Sequence, residues 1–484
     1  MSVLSNLKVA ILLMTFAGFA SAQVPTGTIA GVARDPSGAA LAKAHVSVKS
    51  PTTGFSRSSL TSERGEFSFP ALLPGDYEVS LEAEGFERLV RRVTVEAGTT
   101  TTTDFSPPVG PVTESITVEG AAPQMHYDSH TVGGVVTGAQ IEDLPLNGRS
   151  FLELAKLEPG VQPPSRASSN RTFVPLLGSP GGTNGRGTRV TVDGGSVMSI
   201  GNGGSSLGLS QEAVQEFQVS TVNFDLSTGP TFSGAINVVT RSGNNDVHGT
   251  AFYYFRDHNL SAYPALNRDP ANPDPFFQRR QFGFALGGPI RRDRVFFFGN
   301  WERNEQRGVS TTTLTGDFAR LSGITASPLF GDQASVRFDG LLSNRHTAFI
   351  RYSHDGTRAF GPATNQSNAY ESTWLRQLAW ADQSLLGLTS LLRPTLINDV
   401  RFSYFFLSSS KPTSARGLSW MPRKWCSNNK YSTSRSVHRG VLDKSQSWSS
   451  VPFQRLLELA ERTSQLALGH GLGTQPRRTT RLVQ

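Results

Sequence analysis

The chain has 484 residues, including 48 Gly and 28 Pro, and only 17% of it is charged. That composition excludes a long-helix protein and predicts a mainly β chain with many turns and room for several domains. The formal net charge of +8 is misleading: thirteen Lys and Arg against three Asp and Glu fall in residues 411–484, which leaves residues 1–410 at −2 and removes nucleic acid from the expected partners.

At the amino end, Lys8 precedes an apolar run from Val9 to Ala20 and the small-residue site Ala20-Ser21-Ala22. This pattern predicts a signal peptide over 1–22, cleaved between Ala22 and Gln23. The run is too short to span a bilayer as a helix. No later apolar stretch approaches the length of a membrane helix, so membrane insertion is expected only as a barrel. The single cysteine, Cys426, cannot form an internal disulfide, and no cysteine follows the cleavage site to carry a lipid anchor.

Residues 25–105 alternate apolar and polar side chains in short runs separated by turn signals. Thr28-Ile29-Ala30-Gly31-Val32, Ala44-His45-Val46-Ser47-Val48, Gly65-Glu66-Phe67-Ser68-Phe69 and Tyr77-Glu78-Val79 are such runs, and Asp35-Pro36-Ser37-Gly38 is one of the turns. About seven strands in this span predict a small β-sandwich. The segments GTIAGVARDPSGAALAKAHVSV and GEFSFPALLPGDYEVSLEAEGF resemble the carboxypeptidase regulatory-like domain, a transthyretin-like sandwich. The resemblance implies an accessory domain with a carbohydrate-binding-like fold and no peptidase activity; no closely spaced His and Glu zinc motif occurs in the chain.

Residues 106–120 read as a linker, with a Thr-rich and Pro-containing approach from Thr99 to Pro111. Within it, Glu114-Ser115-Ile116-Thr117-Val118 is a short extended run. It suits strand addition to a partner's sheet edge, and it equally suits a last strand of the sandwich.

Residues 121–245 mix helix and strand. Ser150 and Glu153 form an S-x-x-E pattern ahead of the apolar face Phe151, Leu152, Leu154, Ala155 and Leu157, which predicts a capped helix ending at Pro159-Gly160. Gly187–Gly195 reads as a strand into a tight turn, Glu212–Val219 as a helix running into a strand, and Gly234–Gly243 as a further strand. Gly204-Ser205-Ser206-Leu207-Gly208 fits the serine-hydrolase pattern G-x-S-x-G. It lies in a Gly/Ser run with no hydrophobic strand leading in, so a loop is expected and no catalytic residue is assigned.

From residue 246 to 410 the pattern becomes strictly period two. Phe282, Phe284 and Leu286 alternate with Gln281, Gly283 and Ala285, and Val400, Phe402 and Tyr404 alternate with Arg401 and Ser403. Strands are predicted near 249–256, 281–288, 295–303, 334–341, 346–354, 384–392 and 397–407, with gaps alternating long and short. Outer-membrane barrels have this alternation, one face toward lipid and the other toward a wet lumen. Phe296-Phe297-Phe298 and Trp301 fit either an aromatic girdle or a core.

The segments LPLNGRSFLELAKLEPGV, TRVTVDGG, EAVQEFQVSTVNFDLSTGPTFSGAINVVTRSGNNDVHGTAFYYFRD and QRRQFGFALGGPIRRDRVFFFGNWE resemble the plug and first barrel strands of Oar-like TonB-dependent receptors. The resemblance implies an outer-membrane receptor or transporter that is not an enzyme, needs no cofactor, meets outer-membrane lipid, takes TonB at a box formed by Glu114, Ser115, Ile116, Thr117 and Val118, and binds an extracellular ligand, with carbohydrate one candidate. Seven or eight strands are fewer than the ~22 of a plugged transporter. An incomplete barrel predicts a chain that does not transport and stays in the periplasm if the wall cannot close. The tail 411–484 loses the alternation and gains basic residues and Trp, which suits a frame shift near residue 410 or, as the alternative, a natural soluble tail. The alternative reading is a surface adhesion or carbohydrate-binding protein on the same scaffold.

Overall fold

The computed structural model describes residues 26–110, 115–119, 132–158, 161, 188–198, 205–222, 231–361 and 374–410, apart from 145, 147, 232, 233, 264–267, 269–271, 394 and 395. The expected signal peptide with Ala22 and Gln23, Glu114 of the linker, Gly204 and the tail 411–484 lie outside those residues.

The first body is a sandwich of eight strands: β1 (Gly27–Val32), β2 (His45–Lys49), β3 (Ser56–Leu60), β4 (Glu66–Leu72), β5 (Gly75–Glu82), β6 (Arg88–Val95), β7 (Thr100–Thr102) and β8 (Ser115–Glu119). They form two sheets, ordered β4-β1-β7 and β3-β2-β5-β6-β8. Period-two alternation sends Ile29, Val46, Val48, Phe69, Val79 and Leu81 inward, each almost completely buried. Each such side chain contributes roughly 1.5–3 kcal/mol of burial. The Asp35–Gly38 turn forms as its sequence suggests: the Asp35 carboxylate accepts from the Ser37 and Ala39 amides at 2.9 and 2.8 Å, and Gly38 takes φ 90°. The run after the linker forms a strand here, with β8 parallel to β6 in the register Leu89↔Ile116 and Arg91↔Val118.

The second body lies in residues 121–245, the span expected from sequence to be a plug, and is called the plug below. Its sheet runs β11-β10-β13-β12-β9, from β9 (Val132–Val136), β10 (Arg189–Val192), β11 (Gly195–Ser196), β12 (Val214–Val222) and β13 (Ala235–Thr240). Helix α1 (Gly138–Asp143) and a 3-10 turn over Phe151–Leu157 cover it, and Ile141, Phe151, Leu154, Val192, Phe217 and Val238 meet in one core. The capping box expected at Ser150 is not made: Ser150 stands at the N-cap of the 3-10 turn without a side-chain capping bond. The box occurs one element earlier, where Thr137 and Gln140 cap α1 reciprocally. A 3-10 turn closes its bonds one residue sooner than an α-helix, so the third-residue amide that Ser150 would cap is already used by the Glu153 N–H to Ser150 O bond. The helix expected from Glu212 is likewise a single 3-10 turn, Gln211–Ala213, before β12.

The third body is a tall antiparallel wall: β14 (His248–Asp257), β15 (Phe277–Arg291), β16 (Val295–Thr312), β17 (Gly323–Ala326), β18 (Leu329–Ser343), β19 (His346–Gly361), β20 (Leu375–Arg393) and β21 (Leu396–Ser410). β17 pairs with the upper end of β16, and the other seven follow chain order. Among the described residues β14 and β21 each pair on one side only, so the barrel is not closed. One face is apolar and exposed, with Phe284, Leu286, Phe338, Ile350, Leu386 and Phe402 between 41% and 67% accessible. The other face holds Gln281, Glu302, Asn304, Arg337, Arg351 and Gln383, all buried against the plug. The triple-Phe run splits between the two: Phe296 and Phe298 point in and are buried, while Phe297 belongs to the outward row with Trp301, which packs on Phe282 and Phe284. No helix among the described residues is long and apolar enough to cross a membrane.

Candidate functional site

The residues that most depart from bland packing lie where plug meets wall. β10 and β11 form a two-residue hairpin at Asp193-Gly194, with φ 48° and 81°, a backbone that Asp-Gly adopts readily. This turn drives the Asp193 carboxylate into the wall, where it is 1% accessible. Thr240 on the neighbouring β13 donates its amide to Oδ1 at 2.9 Å and its hydroxyl to Oδ2 at 2.7 Å. Two wall arginines complete the grip: Arg337 Nη1 lies 3.2 Å from Oδ1, and Arg351 Nε lies 2.8 Å from Oδ2. A third, Arg401, donates Nη1 to the Asp193 carbonyl at 2.5 Å.

Charge is balanced within the cluster. Asp339 pairs with Arg337 at 2.8 Å and Asp399 with Arg401 at 2.7 Å, giving three carboxylates for three guanidiniums. Arg351 spends its remaining donors on Ser353, on Gln383 and on the Val192 carbonyl. Burial pushes the Asp193 pKa up, but Arg337, Arg351 and the two Thr240 bonds outweigh burial and leave it below the ordinary carboxylate value. The carboxylate is therefore charged and locked.

A second cluster surrounds Arg149, in the LPLNGRS stretch noted in the sequence. Gly148 and Arg149 both take positive φ, 82° and 58°, and this bend turns the guanidinium toward the wall. It reaches Glu212 at 2.6 Å and Glu302 at 3.6 Å, and lies over the rings of Phe252 at 4.0 Å and Tyr254 at 5.1 Å. Glu302 in turn accepts from Ser210 of the plug and Gln281 of the wall, both at 2.6 Å. Beside it the Gly208 amide donates to Asp355 at 2.7 Å, and a Cβ at Gly208 would stand 2.4 Å from Gln333 Nε2. A small crevice lies between these groups, lined by Arg149, Gln281, Glu302, Asn304 and Gln333 among others. Plug and wall are thus joined mainly by charge and amides; from the wall, Ala381 joins the plug's apolar core and Phe405 packs against it.

The plug's other boundary is the sandwich. Glu216 on β12 accepts the Ala97 amide at 2.5 Å, Gln215 donates to the Pro74 carbonyl at 2.9 Å, and the Asn245 amide donates to Thr52 O at 2.9 Å. Burial, with the nearby Glu96 adding to it against the Ala97 bond, pushes Glu216 up to about 7.

The expected contact residues Ser115, Ile116, Thr117 and Val118 lie in β8, at the end of the sandwich sheet, and the structure does not bring them to either plug cluster. Ser205 forms an isolated bridge with Met198 in a plug loop, not a strand-to-helix elbow. Sequence reasoning passed over Asp193, Arg337, Arg351 and Arg401. A signal was available: arginines at inward positions of strands whose outward positions are apolar.

Comparison with known proteins now bears on this geometry. Residues 28–107 match the carboxypeptidase regulatory-like domain, and residues 239–328 match the outer membrane beta barrel domain. The TonB-dependent transporter Oar of Myxococcus xanthus is 28% identical over 317 residues, covering 63% of this chain and 29% of that protein. The chain therefore spans less than a third of the curated relative it matches. Among solved structures, the ferric enterobactin receptor PfeA of Pseudomonas aeruginosa overlaps with TM-score 0.43 at 13% identity, covering 58% of this chain and 41% of that one. The siderophore receptor PirA of Acinetobacter baumannii overlaps with TM-score 0.43 at 15% identity, covering 57% and 40%. Overlaps at that level say nothing about ligand.

Proposed function

We propose that this chain, a homologue of a TonB-dependent transporter with an outer-membrane β-barrel domain and a carboxypeptidase regulatory-like domain, acts in energised uptake across the outer membrane. In this reading an extracellular ligand binds above the plug, TonB engages Glu114–Val118 from the periplasm, and the plug shifts against the wall to open a path. The observation that carries it is the plug–wall boundary. A plug with its own apolar core is held to the wall by Asp193, Arg337, Arg351 and Arg149, groups that water can solvate once they part. A shared apolar core would resist such motion far more strongly.

Support for the coupling segment is that β8 is the last strand of its sheet, with one edge unpaired among the described residues. An open edge accepts a partner strand by main-chain hydrogen bonds. The adhesion and carbohydrate-binding alternative has no observation behind it.

The test is binding of the purified periplasmic domain of TonB to the full chain. Ile116→Pro removes an amide from the added strand and should lower affinity at least tenfold, while Ile116→Val leaves it unchanged. An unaltered chain that fails to retain TonB would overturn the reading, and equal binding by Ile116→Pro would move the contact elsewhere.

A further inference from the structure

The three short turns of the wall share a composition that neither the plug nor ligand uptake requires. The first, residues 292–294, follows Ile290-Arg291 and reads Arg292-Asp293-Arg294. The second, 344–345, follows Leu341-Leu342-Ser343 and holds Arg345. In the third, Leu391-Leu392-Arg393 ends β20 and Leu396-Ile397 opens β21, with residues 394–395 between them outside those described. Arg291, Arg292, Arg294, Arg345 and Arg393 are all exposed. Beside them Ile290, Leu342, Leu392 and Leu396 are 60%, 66%, 51% and 49% accessible. Each turn therefore sets an unburied aliphatic side chain next to an unburied guanidinium.

The acid that would neutralise this rim is turned away. Asp293, the only carboxylate in the three turns, accepts the Asn245 side-chain amide at 2.8 Å and donates its own amide back to Asn245 Oδ1 at 2.8 Å. Among the described residues none of the five arginines has an ion-pair partner. The opposite rim is built differently: Arg303 there pairs with Glu305 and Asp332 at 2.9 Å each, and Asp332 also faces Arg358 at 4.0 Å. Part of the opposite rim's charge is thus paired internally, whereas none of the five turn arginines is paired among the described residues.

The turn rim also has an address. Asn245 donates to Thr52 of the sandwich, and Leu341 packs against the sandwich core, so the turns lie at the sandwich end of the wall. In outer-membrane barrels the short turns face the periplasm. Aliphatic side chains at acyl depth with guanidiniums at headgroup height match a phospholipid surface of net negative charge; a zwitterionic headgroup also offers a phosphate, but its ammonium cancels that charge.

We infer that the turn rim Arg291, Arg292, Arg294, Arg345 and Arg393, with Ile290, Leu342, Leu392 and Leu396, is a binding surface for anionic phospholipid of the periplasmic leaflet. The lipid phosphates supply the counter-charge that the turns lack, and the aliphatic residues fix the depth at which the turns sit.

The test is native mass spectrometry of the full chain in uncharged detergent with phosphatidylglycerol and phosphatidylcholine supplied together. The unaltered chain should retain phosphatidylglycerol roughly tenfold over phosphatidylcholine, and the preference should fall as salt rises. The variant R291Q/R292Q/R294Q/R345Q/R393Q should lose the preference, whereas R280Q/R307Q/R358Q, on the opposite rim, should keep it. If the five-site variant does not fold, R345Q and R393Q singly, together with the salt series on the unaltered chain, decide the matter. Absence of any preference, or equal loss in both rim variants, would overturn the inference.

Discussion

The plug is held from two sides by carboxylates placed in opposite circumstances. On the wall side Asp193 meets two guanidiniums and two donors of Thr240, and its charge is stabilised below the ordinary range. On the sandwich side Glu216 meets one amide and the neighbouring Glu96, and burial lifts it to about 7. Burial opposes charge in both places, and the partners decide the sign. The Asp193 carboxylate therefore keeps its charge near neutrality, whereas Glu216 titrates there.

The sharpest way to break the contrast is Arg351→Met. It leaves Asp193 buried with half of its cationic neighbourhood and should cost about 3–5 kcal/mol, read as loss of hydrogen-exchange protection in residues 189–196 while the sandwich strands keep theirs. Unchanged protection there would mean that the ion pair is incidental.

Next in size is the titration of Glu216. A carboxyl whose folded pKa lies above its unfolded value holds a proton in the folded state that the unfolded chain has already lost. Stability is then fully present below about pH 4.5 and declines as pH rises toward about 7. The span corresponds to roughly 3 kcal/mol at most. Urea unfolding across that window should show the decline, and Glu216→Gln should flatten it; a decline that persists in the variant assigns it to another group. Asp193 contributes the reverse dependence, a loss confined to strongly acid solution below the ordinary carboxylate range.

A smaller effect probes how closely plug and wall approach. Gly208→Ala puts a methyl group against Gln333 and Asp355, both buried, and should cost about 1–3 kcal/mol in urea unfolding of the full chain. The smallest belongs to the sandwich alone. Tyr77→Phe removes the hydroxyl bond to Leu73 O at 2.9 Å and should cost about 1 kcal/mol, without altering exchange in the plug. A change in plug exchange would show that the sandwich and plug are one cooperative unit.

Much of the fold was legible because alternation is a direct record of two-sided burial. All seven predicted wall strands form, but the observed strands run longer, as β16 does in continuing from Arg303 to Thr312. Beyond the apolar band both faces are polar, so the sequence carries no alternation while the hydrogen-bonded ladder continues. Local signals misled where a third body decided the outcome. Ser150 and Glu153 have the spacing of a cap, yet the tight packing of Phe151 and Leu154 into the plug core goes with a 3-10 turn. The Asp193 cluster was illegible for a different reason: its members are far apart along the chain, and each alone is an ordinary charged residue. Segment 115–118 was legible as a strand but not in its pairing, since either a sandwich edge or a partner suits the same alternation.

The sequence separation of that cluster governs when it forms. Asp193 precedes Arg337 by 144 positions and Arg401 by 208. Contacts this distant close late, after the strands that carry the arginines have paired with one another. An interaction absent from the folding transition state leaves the rate of assembly almost untouched and slows the reverse step instead. The Asp193 turn is thus expected to act as a kinetic catch: Asp193→Asn should leave the folding rate nearly unchanged and speed unfolding, and an equal change in both rates would show that the contact forms early.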